Sequence, residues 1–549
     1  MNISEQQDRW RQANKLTPQK LTLAHLVLSE IRGGMDVMRA LRTHPLREGG
    51  YLTKAALVAA YQQMVDAGTL VPDQALLESI RMKPMRTLSG VTTVTVLTKP
   101  YPCPGKCIFC PTDVRMPKSY LPDEPGAMRA LEHKFDPYTQ VRMRIQALKN
   151  LGHPTDKIEL LILGGTWSSY RRDYQEWFIK RCFDAMNENK DEADKEEPKE
   201  RSTTGPSFNL KEIHAANEFA QHRNVGLVIE TRPDEINEDE LRWLRYLGVT
   251  KVQMGAQSFD DHILDINKRG HDVECTRKAV ALLRAGGFKI VLHWMPNLLG
   301  ATPQSDRVDF SKLWDGFCPD EIKVYPNQLL ANAELYEYWQ RGEFHPYTTQ
   351  DLVDLIADIK PTIPRYCRVN RVIRDIPGNN VVEGNTRTSL RQDVQEEMKK
   401  RGTRCQCVRC REVKGRIVEL STLHMDDLVY SAGKAEEHFI SFITSEDGLA
   451  GFIRLSLPSG ESPETGMMDL NNAALIREVH VYGQSLAVGA EKTGAAQHVG
   501  LGTRLLEEAE AVARVNGFKK IAVISAVGTR GYYLDRGFER GEYYLVKKI

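Results

Sequence analysis

No apolar run in this 549-residue chain approaches the ~20 residues that a membrane span needs. The opening Met-Asn-Ile-Ser-Glu-Gln-Gln-Asp lacks the charged-then-apolar order of a secretory leader. No internal repeat is evident, and neither sign of charge prevails, with 74 Lys and Arg against 73 Asp and Glu. The ten cysteines do not read as a disulfide framework, because they bunch into clusters, the habit of metal ligands in a reducing compartment. These absences exclude a membrane protein and a stapled secreted domain. They leave a cytoplasmic chain long enough for roughly three or four domains. At 41% hydrophobic and 27% charged it can bury sizeable cores.

What is present begins with Cys103-Pro-Gly-Lys-Cys107-Ile-Phe-Cys110. A C-x3-C-x2-C loop can bring three thiolates to three irons of a [4Fe–4S] cube and leave the fourth iron without a protein ligand. S-adenosylmethionine chelates such an open iron and is cleaved reductively to a 5′-deoxyadenosyl radical. A zinc knuckle is the plainer alternative, but it wants a fourth Cys or His nearby. None follows Cys110 until His133. A second run, Cys405-Gln-Cys407-Val-Arg-Cys410, reads as structural zinc with Cys318, Cys367 or His424 as the fourth ligand.

Around these loops the chain divides. Residues 1–86 read as a helical, basic N-terminal region, a candidate nucleic-acid surface, with 12 Lys and Arg against 8 Asp and Glu. Leu21, Leu23, Leu26, Val27 and Ile31 recur in it at helical spacing. Over 87–400, β-branched strands alternate with amphipathic helices, the pattern of an α/β parallel sheet closed as a partial (β/α) barrel. The charged, apolar-poor segment 187–206 reads as a flexible insertion. Residues 401–412 form the cysteine-rich linker, and 413–549 a separate α/β unit. Candidate functional residues follow strand ends: Gly164 and Gly165, Glu230, and Lys323 with Tyr325 and Pro326. Two glycines let backbone approach a ligand closely, and a carboxylate at a strand end suits a ribose hydroxyl or an amino group. Arg365, Arg368, Arg371 and Arg374, with Arg387 and Arg391, read as part of a basic face for phosphates.

In the C-terminal unit the strand Ala474–Tyr482 precedes Gln497-His-Val-Gly500-Leu-Gly502 and a helix. A further strand and Tyr532-Tyr533-Leu-Asp-Arg-Gly537-Phe538 come after. Glycines at a helix start point backbone N–H groups and the positive helix end at a diphosphate. This ordered set resembles the GNAT acetyltransferase fold.

A radical-SAM barrel followed by a GNAT unit resembles the catalytic subunit of Elongator in its stand-alone prokaryotic form. The segments that carry the likeness include Lys83-Pro-Met-Arg-Thr-Leu-Ser-Gly90, Ile229-Glu-Thr-Arg-Pro-Asp234, Ile322-Lys-Val-Tyr-Pro326, Arg477-Glu-Val-His-Val-Tyr-Gly483 and Ser525-Ala-Val-Gly-Thr-Arg-Gly-Tyr-Tyr533. The resemblance implies a tRNA uridine(34) C5 acetyl- or carboxymethyl-type transferase, an acyltransferase using acetyl-CoA and S-adenosylmethionine. It implies that Cys103, Cys107 and Cys110 hold the cluster; Glu230, Gly164 and Gly165, read from their places at strand ends, would be cofactor-binding. Lys157, Glu478, Val479, His480, Val481, Gln497, Gly500 and Gly502 would contact acetyl-CoA. Tyr532, Tyr533 and Lys323 would be catalytic. Cys405, Cys407 and Cys410 would hold Zn2+. Implied partners are the tRNA anticodon stem-loop, an external electron donor and a second copy as a homodimer. The competing reading is a protein lysine acetyltransferase with a structural iron–sulfur cluster. On the first reading, the acetyl-CoA cleft should face the open, cysteine-bearing end of the barrel.

Overall fold

A computed structural model describes residues 14–47, 49–84, 87, 89–188, 209–413, 418–482 and 500–549. The insertion expected at 187–206 lies outside these residues from 189 on, as does Gln497. No described helix is long and apolar enough to cross a membrane. The chain separates into two compact units, residues 1–92 with 142–157, and residues 93–141 with 158–549.

The first unit is helical, as its periodicity predicts. Helices Pro18–Arg32, Val37–Thr43, Lys54–Asp66 and Gln74–Ile80 each start at a Thr or Asp whose side chain accepts a backbone N–H of the first turn. Ala24, Val27, Leu28 and Ile31 form the buried stripe of the first helix, against Leu57, Val58 and Tyr61 of the third. Leu26, expected in that stripe, is exposed.

In the second unit, β1 (Thr92–Leu97), β2 (Lys157–Leu163), β3 (Arg223–Thr231), β4 (Lys251–Gln257), β5 (Lys289–Trp294), β6 (Glu321–Val324) and β7 (Arg368–Arg371) form one sheet in sequential order. The pairs from β3 through β7 are parallel. Helices of the partial barrel bury an apolar face that includes Val252, Met254, Ile290, Leu292, Ile322 and Val324. The opposite face is polar. Lys251, Gln253, Lys289, His293, Glu321, Lys323, Arg368 and Asn370 alternate along it with period two.

The C-terminal sheet comprises β8 (His424–Ala432), β9 (Ala435–Ile443), β10 (Leu449–Pro458), β11 (Ala474–Val481), β12 (Lys520–Val523), β13 (Glu539–Arg540) and β14 (Leu545–Lys548). Its order is β13-β14-β12-β11-β10-β9-β8, with β11 and β12 parallel. Gly433 and Lys434, both at positive φ, close the β8–β9 hairpin in two residues, a turn matched to strand twist.

This sheet docks on the beginnings of the barrel strands, not on the open end expected from the sequence. A Cβ on Gly287, just before β5, would stand 2.7 Å from Leu475, and one on Gly528 would meet Arg223 at the start of β3. Charge fills the same interface. Asp320, fully buried beside the start of β6, accepts from Ile290 N and pairs with Arg477 at 2.5 Å and Arg454 at 3.4 Å. Arg477 also meets Glu437, which pairs with Arg284 of the barrel at 3.2 Å. Between Arg454↔Glu478 and Leu455↔Ile476 the β10–β11 register slips, so Arg477 is the bulged residue, turned toward Asp320. Glu478 joins Arg454 at 2.9 Å and Lys289 at 2.5 Å.

Burial pushes the Asp320 carboxyl up, but Arg477 and Arg454 more than offset this and hold it below the usual carboxylate range. Replacing Asp320 with Asn leaves two buried guanidiniums short of their counter-ion. It should lower unfolding stability by about 3–5 kcal/mol in chemical denaturation at pH 7. A depressed carboxyl contributes fully above its unfolded value near ~4 and loses that contribution as pH falls through the folded one. The gap between wild type and D320N should therefore hold from pH 8 to 5 and narrow below pH ~4.

Candidate active site

The cysteine loop leaves β1 at the strand-end face of the sheet. Cys103 Sγ lies 3.3 Å from Thr166 Oγ1, after the glycine pair that ends β2. That pair is glycine by necessity: Gly164 has φ 139°, and a Cβ there would come within 1.8 Å of Thr98 Oγ1. Thr98, Leu163, Gly164, Trp167 and Glu230 line a small cleft beside it.

Two arginines flank the loop. Arg269 donates to Cys107 Sγ at 3.5 Å and to Gly255 O. Arg232 is gripped by Asp234 at 2.8 Å and donates to Arg269 O. The adjoining Cys110 thiol draws the Cys107 thiol down to about 5, assisted by Arg269 against the push of burial. Cys107 and burial together push Cys110 up.

The residues present fit an iron–sulfur group. Three thiols share one tight loop, and the buried Arg232 Nη1 and Arg269 Nε have no hydrogen-bond partner among the described residues. Buried donors of this kind call for an acceptor.

From the loop, the polar face of the sheet runs down toward the C-terminal domain. Glu230 accepts from Tyr120 OH at 3.1 Å and lies 3.5 Å from His293 Nδ1. His293 Nε2 is 3.3 Å from Gln253 Oε1, which also accepts from Lys323 Nζ. Burial holds His293 well below the usual imidazole range, so it is neutral at pH 7. Lys323 is buried with no carboxylate partner among the described residues, and its ammonium lies over the Tyr325 ring at 5.6 Å. Below, Lys251 bridges Glu159 and Glu321, Lys289 bridges Glu321 and Glu478, and Asn370 donates to Glu321 at 2.6 Å.

At the lower end, β11 pairs with β12 only to Ile476↔Val523 but with β10 as far as Val481↔Gly451. Among the described residues, 477–481 therefore present a strand edge without a partner on the β12 side. Beside it starts the helix Leu501–Val515, capped by Gly500 at φ 100°. A Cβ on Gly502 would stand 2.6 Å from Tyr532 OH and 3.9 Å from Val481. Tyr532 stacks on Arg536 at 3.7 Å and meets Tyr533 edge-on. Burial pushes the Tyr533 phenol up, so it stays protonated. His480 is drawn down to about 4 by burial, and its Nε2 has no partner among the described residues.

With both ends of the polar face described, comparison with known proteins places the chain. Residues 101–309 match the radical SAM superfamily and 319–400 the Radical_SAM C-terminal domain. The chain is similar to the tRNA uridine(34) acetyltransferase of Dehalococcoides mccartyi (strain CBDB1), 41% identical over 84% of this chain and 99% of that protein. It is also similar to Elongator complex protein 3 of Homo sapiens, 34% identical over 90% and 91%. The chain belongs to this family. Among solved structures, the archaeal Methanocaldococcus infernus Elp3 with N-terminus deletion (1-46) superposes with a TM-score of 0.70 at 36% identity, covering 84% of this chain and all of that one.

Against the family pattern, the structure brings Cys103, Cys107, Cys110, Gly164, Gly165 and Glu230 together at the strand-end face, and Val479, His480, Val481, Gly500, Gly502, Tyr532 and Tyr533 at the other. Glu478 is spent on Lys289 and Arg454. Lys157 opens β2, at the strand-start end of the sheet. The thiols of Cys405, Cys407 and Cys410 lie within 4.8 Å of one another, and no fourth donor among the described residues joins them. Cys318, one of the three candidates for the fourth ligand, instead points to Trp314 O and Ser431 O. Cys367 is fully buried, its carbonyl accepting from Val408 N inside the cysteine run, and His424 is exposed at the start of β8.

The arginine row is not a bare cationic stripe. Arg365 pairs with Asp447, Arg368 with Glu412, Arg371 with Asp375, Arg374 with Glu124 and Arg387 with Asp393. Arg391 donates to Val369 O and Asn370 O. Sequence reasoning missed Arg232, Gln253, Arg269 and His293. Arg232 lies within the quoted Glu-Thr-Arg-Pro-Asp run, and period-two polar residues in buried-type strands would have marked Gln253 and His293.

Replacing Gly164 with Ala should destabilise the protein by about 1–3 kcal/mol from strained φ alone, and the clash with Thr98 adds to this. Equilibrium dialysis should show at least a tenfold loss of S-adenosylmethionine binding in G164A, while zinc content stays unchanged.

Proposed function

We propose that this chain attaches an acetyl-derived, carboxymethyl-type group to C5 of uridine 34 in tRNA, with acetyl-CoA as donor. The observation that carries the reading is the continuous polar face of the partial barrel, which has the cysteine loop at one end and the splayed β11 edge at the other. C5 of uridine is a poor nucleophile, so transfer to it needs more than the amine-activating base of an ordinary acetyltransferase. Cys103, Cys107 and Cys110 are the residues to hold the cluster. Cluster and S-adenosylmethionine, when bound, supply hydrogen-abstracting radical chemistry.

This chain's own residues do the rest. The 477–481 edge and the N-terminal turn at Gly500 and Gly502 grip the pantetheine and diphosphate of acetyl-CoA. Tyr533, held as a neutral phenol, donates toward the thioester. His480, neutral with Nε2 free, serves as the base that activates water for CoA release. Lys323, buried and without a carboxylate, donates to a uracil carbonyl on the polar face. Glu230 orients S-adenosylmethionine through a ribose hydroxyl or its amino group. Zn2+ on Cys405, Cys407 and Cys410 stiffens the linker. The working context is cytoplasmic, with an external low-potential electron donor, an anticodon stem-loop as substrate and a homodimer as assembly. Since the arginine row is largely paired, the basic N-terminal helices carry the larger share of phosphate contacts.

Anaerobically reconstituted protein given tRNA, acetyl-CoA, S-adenosylmethionine and dithionite should yield modified uridine 34, read by nucleoside mass spectrometry. Unmodified tRNA from a protein that demonstrably cleaves S-adenosylmethionine would sink the proposal. CoA release stimulated by a basic peptide and indifferent to tRNA would favour lysine acetylation instead. His480→Gln should slow tRNA-dependent CoA release about tenfold or more, with tRNA affinity unchanged in a filter-binding assay. Because His480 titrates near 4, its contribution to that rate should be flat from pH 6 to 8.

A further inference from the structure

We infer that Arg269 and Arg232 are the counter-charges of the cluster bound by Cys103, Cys107 and Cys110, and that Arg269 sets how readily it takes up an electron. This rests on the cluster reading above and assigns a role to two residues outside the thiolate set. Arg269 is 5% exposed. It donates to one backbone carbonyl and one thiol, Nε has no partner, and no carboxylate pairs with it among the described residues. A buried cation without a counter-ion is costly, so the site is built for an anion on the cysteine side.

Arg232 is 4% exposed and differs in one respect. Asp234 neutralises it through Nε at 2.9 Å and Nη2 at 2.8 Å. Its Nη2 also donates to Arg269 O at 2.8 Å, locking the two arginines together. The remaining Nη1 is buried and unpartnered. It occupies the space a Cβ on Gly105 would need, 2.2 Å from that position, between the first two cysteines. Glycine at 105 is thus the room left for a guanidinium against the loop.

Three thiolates on an iron–sulfur core leave a net negative group, and uptake of one electron from an external donor makes it more negative by one charge. Nearby positive charge and hydrogen bonds to sulfur favour the reduced form. Arg269, with its charge unneutralised, has the larger effect on the potential. Arg232, already paired, contributes donor geometry.

The test uses the full chain, reconstituted anaerobically, as wild type, Arg269→Gln, Arg269→Lys and Arg232→Gln. Iron, sulfide and zinc are counted per chain, and the cluster midpoint is read by EPR during a dithionite titration. R269Q should shift the reduced-to-oxidised ratio at a fixed potential at least tenfold toward oxidised, ~59 mV for one electron. R269K should stay within about threefold of wild type, and R232Q should fall between. If R269Q loses iron while R269K keeps it, with zinc intact in both, the counter-charge role also stands. An unchanged midpoint in fully loaded R269Q overturns the inference. So does equal loss of iron from R269Q and R269K with zinc retained, which would mean that shape, not charge, matters. A wild-type protein that takes up no iron on the three cysteines would instead remove the cluster reading itself.

Discussion

Everything about how the two sheets work together depends on one buried carboxylate. Asp320 has no access to solvent, yet it is ionised, because Arg477 and Arg454 reach it from the C-terminal sheet and Ile290 N reaches it from the barrel. Taking such charges out of water is repaid only when geometry and hydrogen bonding are nearly complete. Here the carboxylate sees both arginines, and each arginine sees a second acid, Glu437 or Glu478. A sliding or rotated interface would strand several charges at once. The network therefore acts as a registration device more than as a source of net stability.

That registration has a functional side. Glu478 belongs to the strand that splays open in the C-terminal sheet and is also the first link of the chain through Lys289, Glu321 and Lys251 into the barrel. A partial barrel of this size could fill its inner face with branched apolar residues. This one spends that face on Lys, Glu, Gln, His and Asn, a costly choice in the absence of a polar substrate. Docking at the strand starts leaves the strand ends, with the cysteine loop, uncovered by the C-terminal sheet, while the cysteine loop and the splayed β11 edge border the same polar face.

Much of the architecture was legible because it is written in local patterns. Apolar strands alternating with amphipathic helices announced the sheet of the partial barrel, and the Gly500-Leu-Gly502 turn announced the helix Leu501–Val515. What escaped notice is equally informative. Strands β8 to β10 sit where no catalytic motif draws attention, and polar outward positions in β8 dilute its apolar period. The row of four arginines looked like one surface feature. In space each of its members reaches different acids, because a strand, a turn and a loop send them in separate directions.

The amino-acid sequence by itself determined the short-range chemistry: the spacing of three thiols in one loop, the caps of the helices, and glycine where φ turns positive beside Thr98. Such features need only neighbours within a few residues or a backbone conformation that one residue type favours. Only the tertiary structure decided which partner each charge would meet. Arg477 follows Ile476 in an ordinary apolar run, and nothing nearby in sequence foretells that a bulge will aim it at an aspartate 157 positions earlier. Nothing near Arg232 or Arg269 foretells that they will meet behind the cysteine loop, or that the C-terminal sheet will dock at the strand starts. Desolvated charge is the reason. Its energy depends on every group that surrounds it in three dimensions, whereas hydrophobic periodicity and backbone preference are properties a segment carries alone.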